Sequence, residues 1–208
     1  MRIPTGSSSR ARLLADKKLY LVTAVRADLP DFLDSALRGG VDVVQIRDRS
    51  VPDGLLLEAI ARARIVTQLH GAPLGVNDRP DLAVLSGADF VHVGQEDIPV
   101  EAARSFGLPV GLSTHAPEEI DAATADYLGV GPVYATPTKE GRAAVGLELV
   151  RYAAANARVP WFAIGGIDAS NVQDVVGAGA ERVAVVRAIG DAADPERAAA
   201  ELRAALPG

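Results

Sequence analysis

The 208-residue sequence contains no cysteine. This absence excludes disulfides, thiolate nucleophiles, zinc–cysteine sites and iron–sulfur clusters, and it agrees with a reducing, cytoplasmic environment. No stretch approaches 18 uninterrupted apolar residues, and the start of the chain, MRIPTGSSSRARLLADKK, lacks the apolar centre of a secretory signal. We therefore expect a soluble, intracellular protein that does not enter a membrane.

The chain also lacks an excess of positive charge, since 21 Lys and Arg residues face 27 Asp and Glu residues and give a formal net charge of -6. Nucleic acid is not an expected partner, because sequence-independent binding needs a broad basic face, although a local basic pocket is compatible with this balance. The length suits one domain. We predict a flexible N-terminal tail over residues 1–15 and one catalytic domain over residues 16–208, and the sequence leaves the oligomeric state, a homo-oligomer included, open.

From residue 19 onward, short β-branched apolar runs alternate with longer amphipathic segments, a pattern typical of parallel strands connected by helices. The predicted strands are LYLVTA at 19, VDVVQI at 41, APLGV at 72, DFVHV at 89, PVGLS at 109, DYLGVG at 126, WFAIG at 161 and RVAVV at 182. Eight such repeats predict an α/β fold, a single (β/α)8 TIM barrel. The alternative is an open doubly wound sheet, which the missing GxGxxG after the first strand disfavours.

Two helical segments show the face that would cover the barrel. The segment 53–69 repeats apolar residues at three- and four-residue steps and predicts one buried face made of Leu56, Ile60, Ala63, Val66 and Leu69. The closing segment PERAAAELRAAL begins at Pro195, a residue typical of a helix start. It places on one side Ala198, Leu202, Ala205 and Leu206.

Chemistry in a TIM barrel collects where the strands end, and the second predicted strand runs directly into polar residues. A strand period of two puts Gln45, Arg47 and Arg49 on one side. Two guanidinium groups in this position indicate an anion site. An arginine–carboxylate pair that closes the barrel mouth would explain them equally well.

The third and fourth predicted strands each deliver a carboxylate, Asp78 and Asp97. Each stands shortly before a proline, so helix capping alone could explain either residue. Two oxygen donors on adjacent strands nevertheless suit a hard divalent cation such as Mg²⁺ that is shared with substrate phosphate. Asn77 would add a neutral group able to bind an amine or a ring nitrogen.

The remaining strand ends add hydroxyl groups, one ammonium group and glycines. Ser113 and His115 follow the fifth strand, and we assign no role to His115. The sixth strand leads into a long loop that contains Thr136, Thr138 and Lys139, and a solvated turn is the alternative explanation for that loop. Gly165 and Gly166 follow the seventh strand, where glycine lets backbone N–H groups approach a phosphate, and Arg187 after the eighth strand could add charge there.

Taken in order, these motifs resemble the thiamine-phosphate synthase family over about residues 19–190. The shared motifs are Q-x-R, N-D-R, G-Q-E-D, G-x-S-x-H, G-P-V-Y-x-T-x-T-K and A-I-G-G-I, each at its own strand. The resemblance implies a transferase that joins 4-amino-2-methyl-5-hydroxymethylpyrimidine diphosphate to 4-methyl-5-(2-hydroxyethyl)thiazole phosphate. The implied products are thiamine phosphate and diphosphate, formed by a dissociative, Mg²⁺-assisted substitution.

The resemblance also implies the roles of individual residues. The pyrimidine diphosphate would be held by Gln45, Arg47, Arg49, Asn77, Ser113 and Lys139, among which Lys139, Arg49 and Ser113 would be catalytic. The thiazole phosphate would be held by Thr136, Thr138, Gly166, Val186 and Arg187. Asp78 and Asp97 would bind Mg²⁺, and the loop from Ala135 to Val145 would close over both substrates as a lid.

Two positions depart from the family pattern, which usually has lysine in place of Arg49 and often serine in place of Arg187. The first keeps the charge and changes its geometry, and the second adds a charge beside the thiazole phosphate. One alternative function is a related thiazole tautomerase, in which His115 would be the acid–base residue. Another is a non-catalytic barrel that binds a thiamine precursor and regulates a partner. The pair Asp78 and Asp97 disfavours both alternatives.

Overall fold

A computed structural model describes residues 13–135 and 144–208. Eight parallel strands form a closed barrel in chain order, in which the last strand pairs with the first through Leu19 and Val183. The strands are β1 (Leu19–Thr23), β2 (Val43–Ile46), β3 (Leu74–Asn77), β4 (Phe90–Val93), β5 (Val110–Thr114), β6 (Tyr127–Val130), β7 (Trp161–Ile164) and β8 (Val183–Val185). All eight predicted strands and the (β/α)8 fold are confirmed.

Helices follow the strands along the chain and cover the outside of the barrel. In the described ranges they are α1 (Leu29–Arg38), α2 (Asp53–Leu69), α3 (Pro80–Ser86), α4 (Val100–Arg104), α5 (Pro117–Asp121), α6 (Gly146–Asn156), α7 (Val172–Gly177), α8 (Arg187–Gly190) and α9 (Pro195–Ala205). None of them is both long enough and apolar enough to cross a membrane.

The strands are buried on both faces, and their alternation separates two layers. In β1, Leu19 and Leu21 pack outward in the large core beneath the helices, whereas Tyr20 and Val22 belong to a smaller cluster inside the barrel. The inner cluster also contains Leu14, which is 2% exposed although it lies within the expected N-terminal tail. Residues 1–12 of that tail lie outside the described part of the chain.

Aromatic rings fill the interior of the barrel below its carboxyl end. Although aromatic residues make up 4% of the sequence, Tyr20, Phe90, Tyr127 and Phe162 all meet there. The ring of Tyr20 contacts Phe90 and Phe162 edge to face, with centroid separations of 5.9 and 5.1 Å. Gly111 makes room for this cluster, because a Cβ atom at its position would lie 2.0 Å from the ring of Tyr127.

The predicted helix faces are confirmed in part. In α2, Leu56, Ile60, Ala63 and Val66 are buried, but Leu69 is 81% exposed, so its predicted burial was wrong. Successive residues of an α-helix are about 100° apart, which places Leu69 roughly 120° from the middle of the buried face. The spacing of three residues between Val66 and Leu69 fits the helical repeat, but Val66 already lies near the edge of that face.

In α9, the closing helix, Pro195 is the first residue, as expected. Leu202 and Leu206 are buried, together with Ala199. The predicted members Ala198 and Ala205 are only partly buried and pack at the edge of the core.

Candidate active site

A cavity of about 340 Å³ opens where the strands end, above the aromatic cluster. Because parallel strands deliver the residues that follow them to one end of a barrel, side chains far apart in sequence converge on this cavity. The residues predicted from the sequence that line it are Gln45, Arg47, Asn77, Ser113, Gly166, Val186 and Arg187. Thr136, Thr138 and Lys139, and therefore most of the expected lid, lie outside the described residues.

The three residues predicted at the end of β2 do not all reach the cavity. Gln45 is buried inside the barrel and Arg47 lines the cavity wall, in agreement with the expected alternation. Strand β2 ends at Ile46, so the alternation no longer fixes the direction of Arg49. The guanidinium of Arg49 instead contacts Asp78 and Asp97.

Asp78 and Asp97 come close together, as their positions on adjacent strands predict. Arg49 Nη2 lies 2.6 Å from Oδ2 of Asp78 and 3.2 Å from Oδ1 of Asp97. Burial, followed by the hydrogen bond with the neighbouring Asp97 carboxyl, raises the pKa of Asp78, and Arg49 opposes that rise. Two carboxylates that need a cation between them form a donor set that fits a hard divalent ion.

The structure does not support the capping explanation for these two carboxylates. The residues that precede α3 and α4 are Arg79 and Pro99, and neither helix start has a side-chain capping bond. Asp97 accepts a hydrogen bond from the backbone N–H of Gly94, a contact within its own loop. Asp78 has a φ of 62°, a left-handed conformation that is uncommon outside glycine and is often found at functional sites.

Within the described ranges, no group of three or more His, Cys, Asp or Glu residues is arranged to hold a metal ion. Asp78 and Asp97 would therefore supply two oxygen ligands, and water or substrate phosphate would have to complete the coordination. That sharing is how Mg²⁺ commonly binds in enzymes of phosphorylated substrates.

The opposite side of the cavity is built from backbone. Gly165 and Gly166 have φ values of 105° and 65°, and a Cβ atom at Gly165 would lie 2.5 Å from Cα of Pro132. Glycine is therefore required for this turn, which brings the chain close to the cavity. The exposed guanidinium of Arg187 lines the same side and adds positive charge.

A polar network that was not predicted from the sequence lies beneath the cavity and is formed by Tyr20, His92 and Tyr127. The Tyr20 hydroxyl donates to Gln45 at 2.5 Å, and His92 bonds Tyr127 and Ser113, each at 2.9 Å. The available signal was the alternation itself, which turns each of these polar side chains inward from an otherwise aliphatic strand.

His115 also lines the cavity but has structural contacts. Its backbone N–H donates to Glu119 at 2.6 Å, and its ring Nδ1 bonds the carbonyl of Gly131. The first contact joins the end of β5 to α5, and the second joins it to the turn after β6.

Comparison with known proteins decides the family. The sequence model of thiamine monophosphate synthase matches residues 19–189, which is most of the barrel. The chain belongs to this family. Membership confirms the resemblance found in the motifs and the transferase class that it implied.

Individual relatives agree with this assignment. A thiamine-phosphate synthase from Arthrobacter sp. FB24 is 49% identical, over 93% of this chain and 96% of the relative. One from Gloeobacter violaceus is 52% identical over 94% of this chain, which spans only 59% of that relative's length. Among solved structures, a thiamine phosphate pyrophosphorylase from Pyrococcus furiosus superposes with a TM-score of 0.84 at 33% identity and covers 93% of this chain and 96% of its own.

Proposed function

We propose that this protein is a thiamine-phosphate synthase that condenses 4-amino-2-methyl-5-hydroxymethylpyrimidine diphosphate with 4-methyl-5-(2-hydroxyethyl)thiazole phosphate. The carrying observation is that one cavity combines a polar floor with a glycine turn beside Arg187. The carboxylates of Asp78 and Asp97 do not line this cavity, but Arg49 holds them together beyond Asn77, which does line it. This combination offers a place for a ring and for two separate anionic groups. Family membership supports the same reaction.

The pyrimidine ring would lie on the polar floor formed by Gln45, Asn77 and Ser113. These side chains carry the donors and acceptors that a ring nitrogen and an amine need. Arg47 faces the cavity from the same side, and together with Arg49 and Lys139 it would bind the diphosphate. Arg49 would have to turn from Asp78 to do so.

Asp78 and Asp97 would hold Mg²⁺. When bound, the ion would neutralise charge on the diphosphate and so make it a better leaving group.

The thiazole phosphate would bind across the cavity, at Gly166, Val186 and Arg187. The left-handed glycine turn lets backbone N–H groups approach an anion closely, and Arg187 adds a charge-assisted contact. Thr136 and Thr138 would contribute hydroxyl groups from the loop after β6.

In the reaction, the bond between the pyrimidine methylene carbon and the diphosphate oxygen breaks, and its electron pair leaves with the diphosphate. The thiazole nitrogen then donates its lone pair to the methylene carbon, which forms thiamine phosphate. Arg47, Arg49 and Lys139 would stabilise the negative charge that develops on the departing group. The aromatic cluster below the cavity would exclude water that could capture the cationic methylene group. Ser113 would help to orient the pyrimidine ring.

The test supplies both substrates with Mg²⁺ or with a chelator and measures thiamine phosphate and diphosphate. We expect product only with the metal, and Asp78→Asn and Asp97→Asn should each lower turnover by roughly 10- to 100-fold. Asp31→Asn, on the exposed side of α1, is the matched control. Absence of thiamine phosphate under every condition would refute the synthase function. Release of diphosphate would exclude the two alternatives, because neither a non-catalytic regulator nor a tautomerase releases it. Undiminished product without divalent metal would refute the roles of Asp78 and Asp97.

The role of Lys139 is tested separately. Lys139→Ala should lower kcat because the developing charge on diphosphate loses a cationic partner, whereas Lys17→Ala should not. Unchanged turnover in the first variant would contradict the proposed role. The cytoplasmic location expected from the sequence belongs to the same proposal.

A further inference from the structure

Six side chains form a continuous hydrogen-bonded path beneath the cavity. The path connects Asn77 to Ser113, two residues that line the cavity from β3 and β5. Its links are Gln45 Nε2 to Asn77 Oδ1 at 2.7 Å, Tyr20 Oη to Gln45 Oε1 at 2.5 Å, Tyr20 Oη to Tyr127 Oη at 3.1 Å, Tyr127 Oη to His92 Nδ1 at 2.9 Å, and His92 Nε2 to Ser113 Oγ at 2.9 Å.

The direction of every link follows from the number of protons available. An amide oxygen only accepts, so Gln45 Oε1 takes the single hydroxyl proton of Tyr20. Tyr20 can then only accept from Tyr127, and Tyr127, having given its own proton, can only accept from His92. The ring of His92 must therefore carry its proton on Nδ1.

The last link follows in the same way. While the imidazole is neutral, a proton on Nδ1 leaves an acceptor at Nε2, and Ser113 then donates its hydroxyl proton to His92. Toward any other group, Ser113 is then an acceptor. At the opposite end, Asn77 uses its oxygen to accept from Gln45, so its amide nitrogen is the group that can donate to a ligand.

Burial keeps the two tyrosine hydroxyls of the path protonated. Removal from water raises the pKa of both Tyr20 and Tyr127 far above the ordinary value for tyrosine, so each hydroxyl stays protonated. Both residues are only 2% exposed, so solvent does not offer alternative partners. With the amide groups of Gln45 and Asn77 oriented as they are, the two tyrosine hydroxyls can point in only one direction along the path.

We propose that Tyr20, Tyr127 and His92 are positioning residues that fix Ser113 as an acceptor and Asn77 as a donor, and thereby make the cavity selective for an aminopyrimidine. The inference rests on the proposed function. An exocyclic amine donates and the adjacent ring nitrogen accepts, which matches this polarity. A 4-oxo pyrimidine presents the opposite pattern at both positions, an accepting oxygen beside a ring N–H, and leaves polar groups unpaired.

The first test reads the tautomer of His92 directly, in the wild-type protein without substrate. Two-bond ¹H–¹⁵N correlation spectra of ¹⁵N-histidine-labelled protein at pH 8 show which ring nitrogen carries the proton. The chain has three histidines, so His70→Gln and His115→Gln assign the remaining signal. A proton on Nδ1 of His92 supports the path, and a proton on Nε2 overturns it.

The second test measures selectivity in binding. Calorimetry compares the dissociation constants of the 4-amino pyrimidine diphosphate and its 4-oxo counterpart, and wild type should favour the amine by about 100-fold or more. Tyr127→Phe removes the acceptor for the Nδ1 proton, which lets the proton of His92 move to Nε2 and frees Ser113 to donate. The selectivity should then fall by about tenfold. Tyr152→Phe, which deletes an exposed hydroxyl bonded to Asp121, is the matched control and should keep the wild-type ratio.

The outcomes separate this inference from the proposed function. An unchanged ratio in a folded Tyr127→Phe variant would overturn the inference while leaving the synthase intact. If wild type binds neither diphosphate, the proposed function fails, and the tautomer of His92 alone then decides whether the path exists.

Discussion

Arg49 donates two hydrogen bonds to one carboxylate oxygen of Asp78, from Nε at 2.8 Å and from Nη2 at 2.6 Å. The same guanidinium reaches Asp97, so a single cation neutralises the two carboxylates proposed to hold Mg²⁺. From the sequence, an anion site and an arginine–carboxylate pair were alternative explanations for this arginine. The structure shows the pair, and binding of Arg49 to diphosphate stays a prediction.

Because Arg49 and Mg²⁺ would compete for the same oxygens, Arg49→Ala should strengthen the binding of Mg²⁺ to the substrate-free protein. Arg49 is 61% exposed in its side chain, so solvent weakens the pair, and the expected gain in affinity is about two- to fivefold by calorimetry. The KM for pyrimidine diphosphate should rise at the same time. Arg38→Ala removes an arginine that bridges Asp34 and Glu196 on α1 and α9, and it should change neither quantity. Weaker binding of Mg²⁺ in Arg49→Ala would contradict the competition.

Arg187→Ser should weaken binding of the thiazole phosphate specifically. The arginine lines the cavity beside the glycine turn, and its exposure makes the contact sensitive to salt. We expect the KM for thiazole phosphate to rise roughly three- to tenfold at low ionic strength and by less at high salt, whereas the KM for pyrimidine diphosphate stays constant. The control is Arg197→Ser on α9, an arginine with a 76% exposed side chain. Equal increases in both KM values would show that Arg187 does not bind the thiazole phosphate specifically.

Gly111→Ala should destabilise the barrel through its interior. The added methyl group would lie 2.0 Å from the ring of Tyr127, so the aromatic cluster would have to shift. Overpacking of this kind typically lowers the free energy of unfolding by about 1–3 kcal/mol, measured by denaturant titration. Gly54→Ala, in α2 with no atom within 4 Å of the new Cβ, should be neutral or slightly stabilising. Equal stability of the two variants would show that the interior is more adaptable than the contacts indicate.

Asp34→Asn should make the melting temperature less dependent on pH in the acidic range. A hydrogen bond from His70, together with the charge of Arg38, lowers the pKa of Asp34 in the folded protein, although partial desolvation opposes the shift. A lowered folded-state pKa stabilises the protein above the unfolded-state pKa, and the stabilisation is lost as the pH falls through the folded-state value. Between about pH 4 and pH 2 the melting temperature of the variant should therefore fall less steeply than that of wild type. Parallel curves would show that the carboxylate contributes nothing to acid stability.

The fold was predictable because each strand carries its own signal. Runs such as LYLVT and VVQI are mostly apolar and are buried on both faces, as a strand between a packed barrel interior and a helix layer must be. Counting such runs was sufficient for the architecture. The helix faces were less predictable, as Leu69 at the end of α2 shows. A spacing of three or four residues between apolar side chains does not guarantee that each one points toward the core.

Part of the site was predictable for a related reason. Gln45, Asn77 and Ser113 lie in the last two residues of their strands, and the topology alone brings them into one cavity. The contact of Arg49 with Asp78 depends on side-chain torsions beyond the end of β2, which no periodicity specifies. The path through Tyr20 and His92 requires the register between strands, and register is a property of the folded sheet.

The packed aromatic rings fill the barrel below the cavity, so the inner end of the cavity is formed by Tyr20, Tyr127 and Phe162. A ligand ring bound against them would lie deeper than any second ligand. We therefore expect the substrate that contacts Tyr20 and Tyr127 to bind first, with its partner entering on top of it.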